Sequence, residues 1–395
     1  MQTRQVGKIG VSSQESISTV RRIPWGRIRL LSCPILIATI IRIFGAVWLF
    51  SLLNRDGVIK TPWMDFYGNT IVNRSSWLWL FNAWDSFNFG QIAVGGYSHP
   101  NYAYLPAYPV LIHLVGLGVG DYWFGAFLVT QVFALASIIM FQLLAEKYME
   151  PREALFATIL MATFPYVAVF TTLGYSEALF LFSSVSAWYL YKKNRIGPSF
   201  LLSGLASITR IYGIAIVLPI VTDIVRSKQY RRLVYVAIPL VFIGAWLLYC
   251  NIATGDPLAS WTDEGYWGIW SNGQSGIRYG LIQSILIPGL KGNVICCAGG
   301  NAFDSAILIA VAFVAYLILK TWKVDLLLWT YAASVFTVLL FAAPLISLVR
   351  YVVFIFPIWL SVKVRNPVIV GICVAFFIPV FLVVWLYALL RNFIG

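Results

Sequence analysis

Charged residues are scarce in this sequence: only 11% of its 395 residues are Asp, Glu, Lys or Arg, and only 15 are acidic. Hydrophobic residues make up 60% of the chain, and the mean hydropathy is +0.82. A soluble domain of this length needs many more polar side chains to cover its surface, so a soluble fold is excluded. The lipid bilayer must be the solvent of most of this chain.

Histidine and cysteine are also scarce. The two histidines, His99 and His113, cannot make a histidine-rich metal site by themselves. The five cysteines show no metal-ligand spacing, and a bridge between the adjacent Cys296 and Cys297 would be strained. We therefore predict no metal, no cofactor and no redox chemistry.

Apolar runs of roughly 20 residues recur along the chain, and a helix of that length crosses a hydrocarbon core of about 30 Å. They predict an all-α, polytopic integral membrane protein with about 11 transmembrane helices in a single domain, 30–395. The polar, basic segment 1–29 is predicted to be an uncleaved cytoplasmic tail that contacts anionic lipid headgroups. The predicted helices are 30–53, 122–144, 154–172, 178–191, 199–208, 211–224, 233–253, 306–319, 326–343, 351–362 and 368–390.

Two shorter apolar stretches, 104–120 and 281–290, are broken by Pro or Gly and could lie along the interface or re-enter the membrane. With the N-terminus inside and 104–120 interfacial, 19 of the 28 basic residues and six acidic residues face the cytoplasm. That side then holds the entire formal net charge of +13. Because this charge is spread over loop ends, nucleic acid is not predicted as a partner.

Two long external loops follow from this orientation, at 54–121 and at about 254–305. The first contains a glycosylation triplet at Asn73 and, further on, Trp84–Asp85 among aromatic residues. A carboxylate held among aromatic rings at a membrane surface is partly removed from water, which favours its protonated form and suits it to act as a general base. The alternative is an aromatic belt with Asp85 as a helix cap.

Three further charged residues lie at ends or breaks of predicted helices. Glu177 opens the helix 178–191, where a carboxylate is favoured by the helix dipole even without a chemical role. Arg210 lies where the chain must turn back, and it could bind a lipid phosphate or form a salt bridge with Glu177 or Asp85. Arg350 precedes a late span and could be a second phosphate ligand or could extend to the interface.

These segments together resemble the GPI mannosyltransferase II (PIG-V-like) family. Its first-loop pattern, Trp-Asp-x-x-His-Phe followed by Gly-Tyr and Phe-Phe-Pro-x-x-Pro, is matched at Trp84, Asp85, Phe89, Gly96, Tyr97, Pro106 and Pro109. Asn88 stands in place of the family's His, and Tyr104–Leu105 in place of the Phe pair. Its Gly-Tyr-Ser-Glu motif is matched at residues 174–177.

Weaker matches to the same family complete a resemblance that runs over about 30–357. They are the Arg-x-x-Gly break at Arg210 and Gly213, the basic position at Arg350–Tyr351, and the Gly-Asp-Pro segment at Gly255, Asp256 and Pro257. Asp256 could instead only cap a turn. Trp261, Trp267 and Trp270 follow as a membrane belt or as a platform for sugar or lipid.

The resemblance implies a GT-C-type fold and an inverting mannosyltransferase. The donor would be dolichyl-phosphate mannose or a similar polyprenyl-phosphate sugar, and the acceptor lipid- or glycan-linked, on the non-cytoplasmic face. The implied catalytic residues are Asp85 and Glu177, and the implied substrate-binding residues are Trp84, Asn88, Tyr97, Tyr104, Tyr175, Arg210, Asp256, Arg350 and Tyr351. A prokaryotic cell membrane is expected over the endoplasmic reticulum.

Two alternatives stay open at this stage. A lipid-sugar transporter or flippase would also place arginine, glutamate and broken helices in the membrane, although the halves of this chain show no inverted similarity. The chain could also be a non-catalytic protein subunit of a glycosyltransferase complex, because Asn88 departs from the family pattern.

Overall fold

The structure is a computed structural model that describes residues 25–55, 63–64, 70–72, 77–269, 301–342 and 345–389. Several features predicted from the sequence lie outside these residues. They are the tail up to residue 24, the triplet at Asn73, the apolar stretch 281–290, the cysteines Cys296 and Cys297, and Trp270.

The described residues form sixteen α-helices and one short ribbon. In the first half of the chain the helices are α1 (Trp25–Arg55), α2 (Asp85–Gly95), α3 (Ala107–Val119), α4 (Tyr122–Ala145), α5 (Pro151–Thr163), α6 (Pro165–Phe170), α7 (Glu177–Lys192) and α8 (Ile196–Ser207). In the second half they are α9 (Val217–Arg226), α10 (Ala237–Thr254), α11 (Ala259–Ile269), α12 (Asn301–Thr321), α13 (Leu326–Ala342), α14 (Leu345–Val352), α15 (Pro357–Leu360) and α16 (Pro367–Leu389). The antiparallel strands are β1 (Trp63–Met64) and β2 (Thr70–Val72), and 3-10 turns span Trp77–Phe81, Asn101–Ala103, Ile211–Ile216 and Tyr230–Val236.

The predicted all-helical, polytopic membrane fold is confirmed. Among the described residues, four helices are long and apolar enough to cross a membrane by themselves: Leu31–Asn54, Tyr122–Ala145, Tyr230–Thr254 and Pro367–Leu389. Of the other predicted spans, 306–319 lies within α12, a helix of 21 residues, and the rest are shorter or divided in two. Helix α3 has 13 residues and is thus about 20 Å long, less than the hydrocarbon thickness, which agrees with its interfacial assignment.

Some predicted boundaries need correction. Helix α1 begins at Trp25, so the last five residues assigned to the tail belong to the first helix. The predicted span 154–172 is divided by Pro165, whose missing N–H is tolerated because it starts α6. The predicted span 351–362 is instead α14 followed by α15, and the segment predicted as the second external loop contains helix α11.

The predicted break at Arg210 is confirmed, and one glycine makes it possible. Helix α8 ends at Ser207, Arg210 has extended backbone, and a 3-10 turn follows. A Cβ atom at Gly213 would lie 2.1 Å from the carbonyl oxygen of Ala206. Only glycine allows this close return of the chain against α8.

The first loop is fixed to the helical bundle by hydrogen bonds to its backbone carbonyls. The N–H of Gly174, in the turn before α7, donates to the carbonyl of Phe81 at 2.7 Å. The indole Nε1 of the buried Trp385 in α16 donates to the carbonyl of Leu80 at 2.8 Å. The first bond holds the segment before α2 against the turn before α7, and the second holds it against α16.

Candidate active site

Asp85 is the first residue of α2, and the local backbone accounts for its position. Trp84 before it has φ of 52°, a left-handed conformation that turns the chain sharply into the helix. The backbone N–H of Asp85 donates to the hydroxyl of Tyr175 at 3.3 Å. The Asp85 side chain is 23% exposed, so it borders the interior and remains reachable from outside.

Glu177 is the first residue of α7, as predicted, and its side chain is fully buried. Its Oε1 accepts hydrogen bonds from Nη2 of Arg210 and from Nε of Arg350. A carboxylate at a helix N-terminus is favoured by the helix dipole, and here it also pairs with two neighbouring arginines. The predicted salt bridge between Arg210 and Glu177 is therefore present.

Arg350 connects the two carboxylates, because its Nη1 donates to Oδ2 of Asp85 at 2.9 Å while its Nε donates to Glu177. Its guanidinium lies over the rings of Phe170, at 4.7 Å, and Tyr175, at 4.4 Å. Only 1% of its side chain is exposed. The alternative in which Arg350 extends to the interface is thus wrong, and so is its expected position ahead of a span, since it lies in the last turn of α14.

The four charged side chains form a cluster, Asp85, Glu177, Arg210 and Arg350, whose formal charges cancel. Several of its buried polar atoms have no hydrogen-bond partner in the described part of the chain: Oε2 of Glu177, Nε of Arg210 and Nη2 of Arg350. Buried charged groups normally satisfy their hydrogen bonds, so an arrangement with free donors suits a polar ligand that supplies the missing partners.

Aromatic residues predicted to bind substrate surround this cluster. Tyr104 donates from its hydroxyl to Oδ1 of Asp85 at 3.2 Å and accepts from Nδ2 of Asn88 at 2.8 Å. Tyr97 donates from its hydroxyl to the backbone carbonyl of Tyr104 at 2.9 Å. The ring of Tyr351 lies 5.4 Å from the guanidinium carbon of Arg210. The structure therefore brings together all the predicted site residues except Asp256.

Asp256 belongs to a separate turn between α10 and α11. Its Oδ1 accepts from the backbone N–H of Leu258 at 2.8 Å, and its Oδ2 accepts from the hydroxyl of Thr262 at 2.9 Å. These bonds show the turn-capping role. A contact between Asp256 and substrate stays a prediction, as does the platform role of Trp261, which is 77% exposed.

Residues of α11 that the sequence did not single out also connect to the first loop. Oδ1 of Asp263 lies 2.7 Å from Nδ1 of His99, and its Oδ2 accepts from the backbone N–H of Tyr102 at 2.9 Å. Two adjacent acidic residues, Asp263 and Glu264, in a chain with only 15 acidic residues, were the sequence feature that could have pointed to this contact. Phe170 was missed because a phenylalanine inside an apolar segment looks like any core residue.

Potential metal ligands do not gather in groups of three or more among the residues that the structure describes. The prediction that no metal is required concerns the reaction and stays a prediction.

Comparisons with known proteins gave one structural likeness. No protein-family model matches the chain, and no curated protein matches it. The chain is similar to the crystal structure of an oligosaccharyltransferase from Archaeoglobus fulgidus in complex with Zn and sulfate, with 12% identity and a TM-score of 0.42. The match covers 93% of this chain and 53% of that one, so the chain spans about half the length of the archaeal protein. A TM-score below 0.5 does not define a shared fold.

Proposed function

We propose that this chain is a membrane glycosyltransferase that takes its sugar from a polyprenyl-phosphate donor. The observation that supports it is the cluster of Asp85, Glu177, Arg210 and Arg350, contributed by four separate segments. A partly exposed carboxylate beside two buried arginines suits a reaction that removes a proton at one end and releases an anionic phosphate at the other.

The two arginines are suited to hold the donor phosphate. A guanidinium binds phosphate oxygens bidentately, and Arg210 and Arg350 retain N–H groups with no partner in the described residues. Glu177 accepts from both arginines at a single oxygen, which keeps the two cations close despite their mutual repulsion. Glu177 therefore serves to position the phosphate ligands.

Asp85 is the residue we assign as the base. The acceptor hydroxyl oxygen forms a bond to the anomeric carbon, and its proton passes to Asp85. The bond from that carbon to the phosphate oxygen breaks, and its electron pair leaves with the phosphate. In the structure, Oδ2 of Asp85 accepts a hydrogen bond from Arg350. When the donor phosphate binds Arg350 in its place, this oxygen becomes available to the acceptor hydroxyl.

The finer assignment rests on the sequence resemblance at Trp84–Asp85 and at residues 174–177. It is a GT-C-type transferase that moves mannose from dolichyl-phosphate mannose to a lipid- or glycan-linked acceptor on the non-cytoplasmic face of a prokaryotic cell membrane. In-line attack inverts the anomeric centre, so a β-linked donor gives an α-mannoside.

The proposal is tested with purified protein in lipid, radiolabelled dolichyl-phosphate mannose and native membrane lipids. Asp85→Asn keeps the shape of the side chain but cannot take the proton, so label transfer should fall by about 10²- to 10⁴-fold. The matched control is Asp121→Asn. Asp121 caps α4 from an exposed position, and asparagine caps helices equally well, so transfer should be unchanged.

Two results would contradict the proposal in different ways. Near wild-type transfer by Asp85→Asn would remove Asp85 as the base. Donor binding without any transfer by the wild-type protein would favour the non-catalytic subunit. Movement of the lipid-linked sugar across the membrane of proteoliposomes that contain no acceptor would favour the flippase.

A further inference from the structure

Asp85 and Asn88 lie one helical turn apart on α2, so their side chains point to the same face of the helix. The Tyr104 hydroxyl lies between them, 2.8 Å from Nδ2 of Asn88 and 3.2 Å from Oδ1 of Asp85. A short chain of hydrogen bonds therefore runs from Asn88 through Tyr104 to Asp85.

The direction of this chain is set by what each group can donate. A tyrosine hydroxyl has a single hydrogen, and because Asn88 donates to the Tyr104 oxygen, that hydrogen is directed to Asp85. Burial of the hydroxyl, together with the nearby charge of Asp85, raises the pKa of Tyr104 well above its ordinary value. Tyr104 therefore keeps its proton and remains a donor over the working pH range.

The position of Tyr104 is fixed from two sides. The Tyr97 hydroxyl donates to the backbone carbonyl of Tyr104 at 2.9 Å. The ring of Tyr104 packs edge-on against Phe89, with centroids 5.0 Å apart. Phe89 also packs edge-on against a second tyrosine, Tyr108, at 4.9 Å, whose hydroxyl is paired with Thr130 instead of Asp85. The two tyrosines share a ring neighbour and differ in hydroxyl partner.

We infer that Asn88 and Tyr104 are positioning residues: Asn88 orients the Tyr104 hydrogen, and Tyr104 holds the carboxylate of Asp85 by its Oδ1 so that Oδ2 faces the cluster. This inference deepens the proposed function and rests on it. It also changes the role expected of Asn88 and Tyr104 from the sequence, because both act through Asp85.

Besides Tyr104, the charged and titratable groups that face Asp85 are Arg350 of α14, which donates to its Oδ2, and Tyr175, whose hydroxyl accepts from its backbone N–H. Glu264 of α11 adds negative charge near Tyr104. The variants below leave these groups in place.

The test is therefore the acid side of the pH profile of sugar transfer. Removing a hydrogen bond to a carboxylate favours its protonated form, so Tyr104→Phe should lose activity at a pH about 0.5 to 1 unit higher than wild type. Tyr108→Phe removes a hydroxyl from the same aromatic cluster and should leave the midpoint within about 0.2 unit. Donor KM should change by less than about two-fold in both variants, since neither hydroxyl holds the donor.

Substitutions at Asn88 test the direction of the chain. Asn88→Asp has the same shape but can only accept, so it would draw the Tyr104 hydrogen away from Asp85 and add a negative charge one turn away. The pH at which Asn88→Asp has lost half of its activity on the acid side should therefore be higher than for Tyr104→Phe. Asn88→Ala removes the donor without competing for the hydrogen, so its shift should be the smallest of the three.

Failure of this inference is distinguishable from failure of the proposed function. The infrared carboxyl band that Asp85→Asn removes can be titrated in purified protein without any substrate. Its midpoint should follow the same order among the variants even if no donor is ever found. Equal midpoints for Tyr104→Phe and Tyr108→Phe would overturn the inference, and so would Asn88→Asp behaving as Asn88→Ala.

Discussion

Helix α7 has charged residues at both ends, and the two ends are built differently. At its start, Glu177 is fully buried and shared by two arginines that are themselves 15% and 1% exposed. At its other end, Lys192 is 30% exposed and pairs with Asp325 at 3.3 Å. A further pair of this kind joins Glu153, in the first turn of α5, to Arg365, which is 74% exposed. The start of α7 has a buried, shared cluster, whereas these pairs reach water.

The difference shows which end is organised for stability. Pairs with one exposed partner cost little desolvation, and they join helices without leaving charges stranded. Burying four charged groups together costs much more, and their attraction repays that cost only with complete hydrogen bonding. Since Glu177, Arg210 and Arg350 each keep a buried polar atom unpaired in the described part of the chain, the cluster is better explained by a ligand than by stability.

Glu177→Gln should have the largest effect on stability of any substitution in this comparison. It leaves two buried guanidinium groups with only Asp85 as a counter-ion, and breaking a buried ion pair by removing one partner costs about 3–5 kcal/mol. The measurement is thermal unfolding in lipid or detergent. The double variant Glu177→Gln, Arg210→Gln removes one charge of each sign and should recover part of the loss. A midpoint equal to wild type for the single variant would contradict a shared, buried cluster.

Arg350→Lys should mainly affect activity. A lysine ammonium keeps the charge but cannot present the fixed fork that contacts both Asp85 and Glu177, so we expect transfer to fall about 10²-fold. The matched control is Arg365→Lys, which makes the same change at an exposed position and should transfer at the wild-type rate. Equal losses in the two variants would mean that Arg350 does not act through the cluster.

Much of this comparison was visible in the sequence. The scarcity of charge made Asp85, Glu177 and Arg210 conspicuous, and the helix break at Arg210 followed from the turn that orientation requires. Helix boundaries were also largely predictable because apolar runs in a membrane protein must match the bilayer. The division of one span by Pro165 was missed, since a proline at the start of a short helix leaves the apolar run intact.

The position of Arg350 could not be predicted from sequence. Near a predicted span end, a long cationic side chain normally extends to the interface, and only the packing of α14 beside Phe170 and Tyr175 encloses it. The pairing of Asn88 with Tyr104 was equally inaccessible, because the loop between them could take many paths. Both cases depend on which distant segments pack together, and the sequence alone did not show that.

Glu153→Gln should have the smallest effect on thermal unfolding of the substitutions considered. When the carboxylate is neutralised, Arg365 is free to turn into water, because 74% of its side chain is already exposed. Pairs with a water-exposed partner contribute little, so the unfolding temperature should shift far less than in Glu177→Gln, and sugar transfer should stay unchanged. A loss as large as that of Glu177→Gln would show that burial of the partner arginine, the feature that separates the cluster from the Glu153–Arg365 pair, does not set the cost.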